Sequence, residues 1–397
     1  MKKGLLAAVA SLLVCTGAAL AGAEPTSHDD YWVDAGYLIW WFQGMPVPPL
    51  VTTGPLATPP TTLSGILGQN DTVAVVGNGR LEEPIHQGGR VSIGTWIGYD
   101  HNVAAEGGFF GLFQKTRTDI ATSDIGGNPL LARPVIDERS GQETVLFVSA
   151  PNAFAAPNGI TVTSKTSLMG AEGNLLYVPQ VWENPYVNLL GGFRWLQLDE
   201  HLDITQESSV LQSGVGFFKT VPMTALNTFD IGDHFHTRND FYGPQVGVRW
   251  GCCWCGFAVS IEGKVALGVM REQVQITGRS TVTSPLGQTL SAPGGVFALP
   301  SNIGDFSRNQ FSAVPGVDAT ITYEISPQWH VLVGYSCLCA TEVVRPGGQI
   351  DRTIDRTQLP TSQGFDPAAS NQTRPAFPFH GESFWAQGLT LGVSLSF

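Results

Sequence analysis

The sequence predicts an all-β fold: a transmembrane, antiparallel, up-and-down β-barrel of about ten strands, with short periplasmic turns and long extracellular loops. Three observations predict it. Apolar residues recur at every second position in several segments, with small and polar residues between them. No segment after the N-terminus could cross a membrane as a helix, because the longest uncharged stretch, between Asp34 and Asp71, carries Pro46, Pro48, Pro49, Pro55, Pro59 and Pro60. The connections between patterned segments alternate between short and long, the habit of outer-membrane barrels. A membrane-spanning chain without helices must close its sheet, since lipid offers no partner to an open strand edge.

Composition narrows the function classes. The chain has 397 residues with 33 acidic and 21 basic side chains, a formal charge of −12. That balance lacks the clustered Lys and Arg of a nucleic-acid binder. At 43% hydrophobic and 14% charged the chain has ample material for a fold, which excludes wholesale disorder. Its 47 Gly and 26 Pro favour strands joined by turns over long helices.

The elements follow in order. Residues 1–23 read as a secretory signal peptide: Lys2 and Lys3, an apolar run over 4–20, then the cleavable small-x-small sites Ala19-Leu20-Ala21 and Ala21-Gly22-Ala23. Cys15 lies inside the run behind Val14, which is a poor lipobox. Residues 24–397 form one outer-membrane barrel domain. Over 90–99, Val91, Ile93, Thr95, Ile97 and Tyr99 share a side. Over 186–195, Val187, Leu189, Phe193 and Trp195 stand opposite Asn188, Gly192 and Arg194. Over 257–269 the odd positions are apolar, and Ser260, Glu262 and Lys264 are even. Over 385–397 the odd positions run from Trp385 through Leu389, Leu391, Val393 and Leu395 to Phe397. A soluble sandwich also alternates. Two features favour lipid: the polar faces carry Gly and small residues rather than Lys and Glu, and Trp40, Trp41, Tyr99, Tyr186, Trp250, Trp329 and Trp385 fall at strand ends as an interfacial girdle would.

Short connections are expected at 100–102, 180–184, 251–256 and 326–328. Long ones are expected at 44–87, 119–165, 208–233, 278–310 and 345–381. Counting strands around them gives ten, with both termini periplasmic. A further hairpin over 143–149 and 159–164 would raise the count to twelve. Gly392, Leu395 and the terminal Phe397 resemble the C-terminal strand signal that the barrel-assembly machinery reads.

Several further segments resemble one family. Tyr37-Leu38-Ile39-Trp40-Trp41, then Pro48-Pro49-Leu50-Val51-Thr52-Thr53-Gly54, Arg238-Asn239-Asp240-Phe241-Tyr242-Gly243 and Gly263-Lys264-Val265-Ala266-Leu267-Gly268 are four. Val343-Val344-Arg345-Pro346-Gly347 with Gln349-Ile350-Asp351-Arg352, and Phe384-Trp385-Ala386-Gln387-Gly388, complete the set. Together they resemble the BBP7 family of outer-membrane beta-barrel proteins, best known from planctomycetes, over essentially the whole mature chain. The resemblance implies location and architecture, and brings no catalytic or substrate residues with it. The cysteine-rich segments depart from it.

Chemical motifs are sparse. The mature chain keeps Cys252, Cys253, Cys255, Cys337 and Cys339. Cys337 and Cys339 share a face with Val331, Val333 and Tyr335 and read as small lipid-facing hydrophobes, with a local disulfide as the alternative for the turn cysteines. His234 and His236 share a strand face near Asp233 and Asp240, but no nucleophile motif accompanies them. No enzyme activity, metal or cofactor is expected. In the 351–356 loop, Asp351, Arg352, Asp355 and Arg356 read as mutual ion pairs in preference to a calcium site.

The alternation directs Asp34, Glu106, Glu172, Glu262, Asp318 and Glu324, with Arg90, Arg194, Arg249 and Lys264, into the lumen, because a charge facing lipid near the midplane costs about 2–4 kcal/mol. Two functions fit. One is a porin-like passive channel for small hydrophilic solutes, in which six acids against four bases favour cations. The other is a structural or surface-interaction barrel with a plugged lumen. The Pro-rich segment 45–60 discriminates them: folded inward it closes the pore, and standing outside it serves display. Outer-membrane lipid and the assembly machinery are the expected partners, and nucleic acid is not.

Overall fold

The alternating segments pair into a closed ring. The computed structural model describes residues 30–54, 64–69, 71–97, 102–179, 184–369 and 373–397. The signal segment, Tyr99, the turn residues 100 and 101, and Pro55, Pro59 and Pro60 lie outside the described residues. Ten strands form the barrel: β1 (Tyr31–Phe42), β2 (His86–Ile97), β3 (Val103–Ala121), β4 (Ile160–Tyr177), β5 (Tyr186–Val210), β6 (Thr228–Trp254), β7 (Phe257–Thr283), β8 (Gly304–Glu324), β9 (Trp329–Val344) and β10 (Gly381–Ser396). Each pairs antiparallel with its sequence neighbour, and β1 pairs with β10, so the sheet has no free edge. At the seam Tyr31 and Phe397 exchange two backbone hydrogen bonds of 3.0 Å, and their rings stack at 5.9 Å.

Two expectations change here. The ring holds ten strands among the described residues, not twelve: Glu143–Ser149 pairs with Leu131–Asp137 in a separate five-stranded sheet, and the 159–164 segment is the start of β4. The loops expected over 208–233 and 278–310 are much shorter, because β5, β6, β7 and β8 continue as strands well beyond the membrane.

The outward residues mark where the membrane ends. On β5 they are apolar through Val187, Leu189, Phe193 and Trp195, then become Gln197, Asp199, His201, Asp203 and Thr205. On β6 the same change falls between Tyr242 and Asp240, on β7 between Val269 and Arg271, and on β4 between Met169 and Ser167. The apolar belt is therefore about ten residues of tilted strand, the length that spans a bilayer. Above it the phase inverts. Water replaces lipid outside, so the greasy face turns inward: Leu196, Leu198, Leu202 and Ile204 on β5, and Phe229, Ile231 and Phe235 on β6, are all buried.

Within the belt, Trp41, Trp250, Trp329 and Trp385 face outward as expected. Trp40 and Tyr186 do not: their strand parity turns them inward, where Trp40 packs on Phe110 at 5.5 Å and Tyr186 fills the space beside Gly251. Cys337 and Cys339 face outward, and all five described cysteines are unpaired.

Candidate functional site

The candidate site is the lumen, which is built in layers. At the periplasmic end Trp32 and Trp96 meet at 6.0 Å above Ala104, Leu176 and Leu190. Next comes a network of charges that the pleat and the cross-strand register assemble. Glu262 and Lys264 share a face of β7, opposite Asp318 on β8 and Arg249 on β6, while Glu172 of β4 sits across from Arg194 of β5. Lys264 Nζ lies 2.6 Å from Glu262, 2.7 Å from Glu172 and 3.8 Å from Asp318. Arg194 donates to Glu172 at 2.8 Å. Arg249 bridges Glu262 at 2.6 Å and Glu106 at 3.0 Å. Arg90 reaches Asp318 at 3.7 Å, and Ser336 donates to the same carboxylate at 2.6 Å.

Eight of the ten residues that the sequence directs into the lumen thus join one network: Arg90, Arg194, Arg249 and Lys264 against Glu106, Glu172, Glu262 and Asp318. The other two stand apart. Asp34 accepts a hydrogen bond from Ser92 at 2.7 Å, and Glu324 lies exposed at the periplasmic end of β8. Four bases meet four acids, so the excess of acid counted from the sequence is absent from the network itself. Such a network is tolerated at low dielectric because every member has a partner.

Above the charges the lumen is greasy. Leu38, Leu112, Leu168, Leu196, Phe241, Ala266, Met270, Val314, Leu338 and Phe384 pack into one cluster, each less than 5% exposed. The cavity between this layer and the charges is about 50 Å³, lined in part by Trp40, Arg90, Phe110, Glu172 and Asp318. A cavity of that size exceeds the roughly 10–15 Å³ that one water needs.

A third layer packs into the extracellular mouth, and little in the sequence announces it. Arg345, fully buried at the end of β9, donates to Glu200 at 2.6 and 2.9 Å and to the carbonyls of Gln43 and Gly44 at 2.9 and 3.0 Å. Asn239 of β6 exchanges two 2.8 Å hydrogen bonds with the Val344 backbone. The described part of the Pro-rich segment folds inward here: Met45–Val47 pairs with Gly79–Leu81, and Met45, Val47, Leu50 and Val51 pack against Leu202, Ile204, Phe235, Val274 and Ile276. Higher still, Arg133 of the five-stranded sheet pairs with Asp233 of β6 at 2.6 Å, both fully buried. Asp233 also accepts the backbone N–H groups of Val296, Phe297 and Ala298 at 2.8–2.9 Å, and Arg133 stacks on Phe297 at 4.4 Å.

The remaining sequence candidates separate. Asp351 pairs with Arg374 at 2.7 Å and Arg352 pairs with Glu143, so these two tie to other segments rather than to each other. Asp355 instead accepts the Thr357 N–H at 2.9 Å. His234 and His236 point outward above the lipid belt, bonded to Asp203 at 2.8 Å and Asp199 at 3.1 Å. Asp199 and His201 were missed because they lie on the extension of β5. The signal was present: a polar residue at every second position from Gln197 to Ser209.

Comparison with known proteins gives one decisive match. A family model described as "Putative beta barrel porin-7 (BBP7)" matches residues 32–397. No curated protein matches the chain. Among solved structures, the outer membrane protease OmpT from Escherichia coli aligns with a TM-score of 0.41 at 7% identity, covering 94% of this chain and 100% of that one. A FadL homologue of Pseudomonas aeruginosa aligns at 0.24 and 9% identity, covering 94% of this chain and 91% of that one. The Ralstonia pickettii toluene transporter TbuX aligns at 0.18 and 10%, with coverage of 94% and 91%.

Proposed function

We propose, from the premise that the chain belongs to the beta barrel porin-7 (BBP7) family, that this outer-membrane barrel works with its lumen sealed, as a scaffold that presents its extracellular half at the cell surface. The observation that carries this reading is the buried apolar layer from Leu38 to Phe384 across the lumen. A hydrated ion or small polar solute crossing that layer would shed its water against side chains that offer no hydrogen bond. The Arg345–Glu200 pair and the inward fold of residues 45–51 support it, since both hold loop chain in the barrel mouth. What the barrel presents is a five-stranded sheet tied down by the Arg133–Asp233 pair and Asp233's backbone bonds, which favours a fixed surface.

The family description and the charged layer favour a second reading, a porin-like channel that opens only when the mouth segment leaves. Planar-bilayer recording on the folded wild-type protein separates the two. The sealed reading expects insertions without steady conductance. Regular steps of equal size from most insertions would overturn it and establish the passive channel. We further propose that the chain is exported through a signal peptide cleaved near Ala21 or Ala23, which N-terminal sequencing of outer-membrane material tests.

A further inference from the structure

On the outer wall just above the lipid belt, β5 and β6 bring three ligating side chains together. His201 and His236 are direct cross-strand partners, and Asp199 precedes His201 by two residues on the same face. The two imidazoles lie parallel, within 3° and with centroids 4.0 Å apart. Each directs its Nε2 at a different oxygen of one carboxylate: His201 to Asp199 Oδ1 at 3.2 Å, His236 to Oδ2 at 3.1 Å. The three donor atoms all lie within 4.8 Å of one another.

We propose that Asp199, His201 and His236 form a binding site for a divalent transition-metal ion of the zinc class on the extracellular rim of the barrel. Zinc bonds of about 2.0–2.1 Å place tetrahedral ligand atoms about 3.3 Å apart, and each imidazole Nε2 already stands at nearly that distance from one of the two carboxylate oxygens. Turning the two rings out of parallel, so that both nitrogen lone pairs point at one ion, completes the site while the paired strands hold the backbone. Two nitrogens and one oxygen suit zinc, nickel or copper and not calcium or magnesium, which take oxygen ligands. All three side chains are partly exposed, leaving the fourth position to water or to an outside ligand.

The surroundings fit an incoming cation. The Asp199 carboxylate faces both rings, one oxygen to each. The cation nearest in register, Arg238 opposite Asp199, is turned to Asp240 at 2.8 Å. On the other flank Asp203 takes up His234 at 2.8 Å and Lys165 at 3.7 Å. Nothing in the sealed-lumen reading depends on this site.

The test uses the full mature protein folded in detergent, with its thiols alkylated, because Cys252, Cys253 and Cys255 would compete for the metal. Zinc chloride is titrated by calorimetry at neutral pH, and copper(II) is added to a second sample for electron paramagnetic resonance. The expected result is one zinc per chain, nitrogen coupling in the copper spectrum, and at least roughly tenfold weaker binding in His201→Ala, His236→Ala and Asp199→Asn. His234→Ala should bind as the wild type does. Gel mobility without heating confirms that each variant is folded. Zinc binding no tighter than millimolar, or stoichiometric binding that the three ligand variants leave unchanged, would overturn the proposal.

Discussion

Replacing Arg345 by Leu should weaken the barrel through the packing at its mouth. Arg345 and Glu200 are both fully buried, and the guanidinium also serves the Gln43 and Gly44 carbonyls at the exit of β1. Removing one partner of such a pair costs about 3–5 kcal/mol, because the other charge stays buried without compensation. The pH dependence has a definite sign. Burial pushes the Glu200 carboxyl up and Arg345 pulls it down; in the variant burial is opposed only by the Thr166 hydroxyl, so the upward push dominates. The folded variant then holds a proton that the unfolded chain, with a carboxyl near about 4.3, has released. Its stability should fall as pH rises from about 4.3 through the raised value, and recover toward acid. Urea unfolding of the refolded protein in lipid vesicles, followed by tryptophan fluorescence at several pH values, measures this. A loss under about 1 kcal/mol at neutral pH, or a deficit that grows toward acid, would refute the reasoning. Glu200→Leu combined with Arg345→Leu should cost less than the two single losses added, as coupled partners do.

Three other outcomes are expected. Ile261→Arg places a charge on the lipid face and should cost about 2–4 kcal/mol, whereas Glu262→Gln should fold, since Lys264 keeps Glu172 and Arg249 keeps Glu106; equal losses by urea unfolding would contradict the face assignment. Deleting Phe397 removes two backbone hydrogen bonds and a stacked ring from the seam, so the folded fraction on unheated gels of outer membranes should drop; undiminished folded protein would count against its assembly role. A water-soluble maleimide applied to the folded protein in vesicles permeable to it should label Cys253 and Cys255 and spare Cys337 and Cys339, which lie on the lipid face; mass spectrometry of the tryptic peptides reads the difference, and labelling of the latter pair would misplace the belt.

The sequence by itself determined the barrel and, within each patterned strand, which residues share a face. These are local facts: in a strand, side chains alternate, so Glu262 and Lys264 must share a side and Ile261 must take the other. The alternating run from Trp385 is equally local. The charge layer was legible as a list of residues for the same reason. Its pairing was not, because Glu172 meets Lys264 across 92 residues and Arg249 meets Glu106 across 143, distances that only strand register and barrel closure bridge.

The upper half shows the other limit. On β5 the apolar parity switches at Trp195 and Leu196, and that switch was already visible in the sequence. From the sequence the patterned strand covers 186–195 and a long loop begins at Ser208, so the inward face of the stretch between carries no assignment. Where lipid gives way to water, the inner face becomes the only place to bury those side chains, and it needs cover. Residues 45–51, Val296 to Leu299 and Arg345 supply it from loops far apart in the chain. Whether such a barrel is open or sealed therefore depends on packing between distant segments, which no periodicity along one strand encodes. The same holds for His201 and His236, which become neighbours only because the register of β5 against β6 sets them side by side.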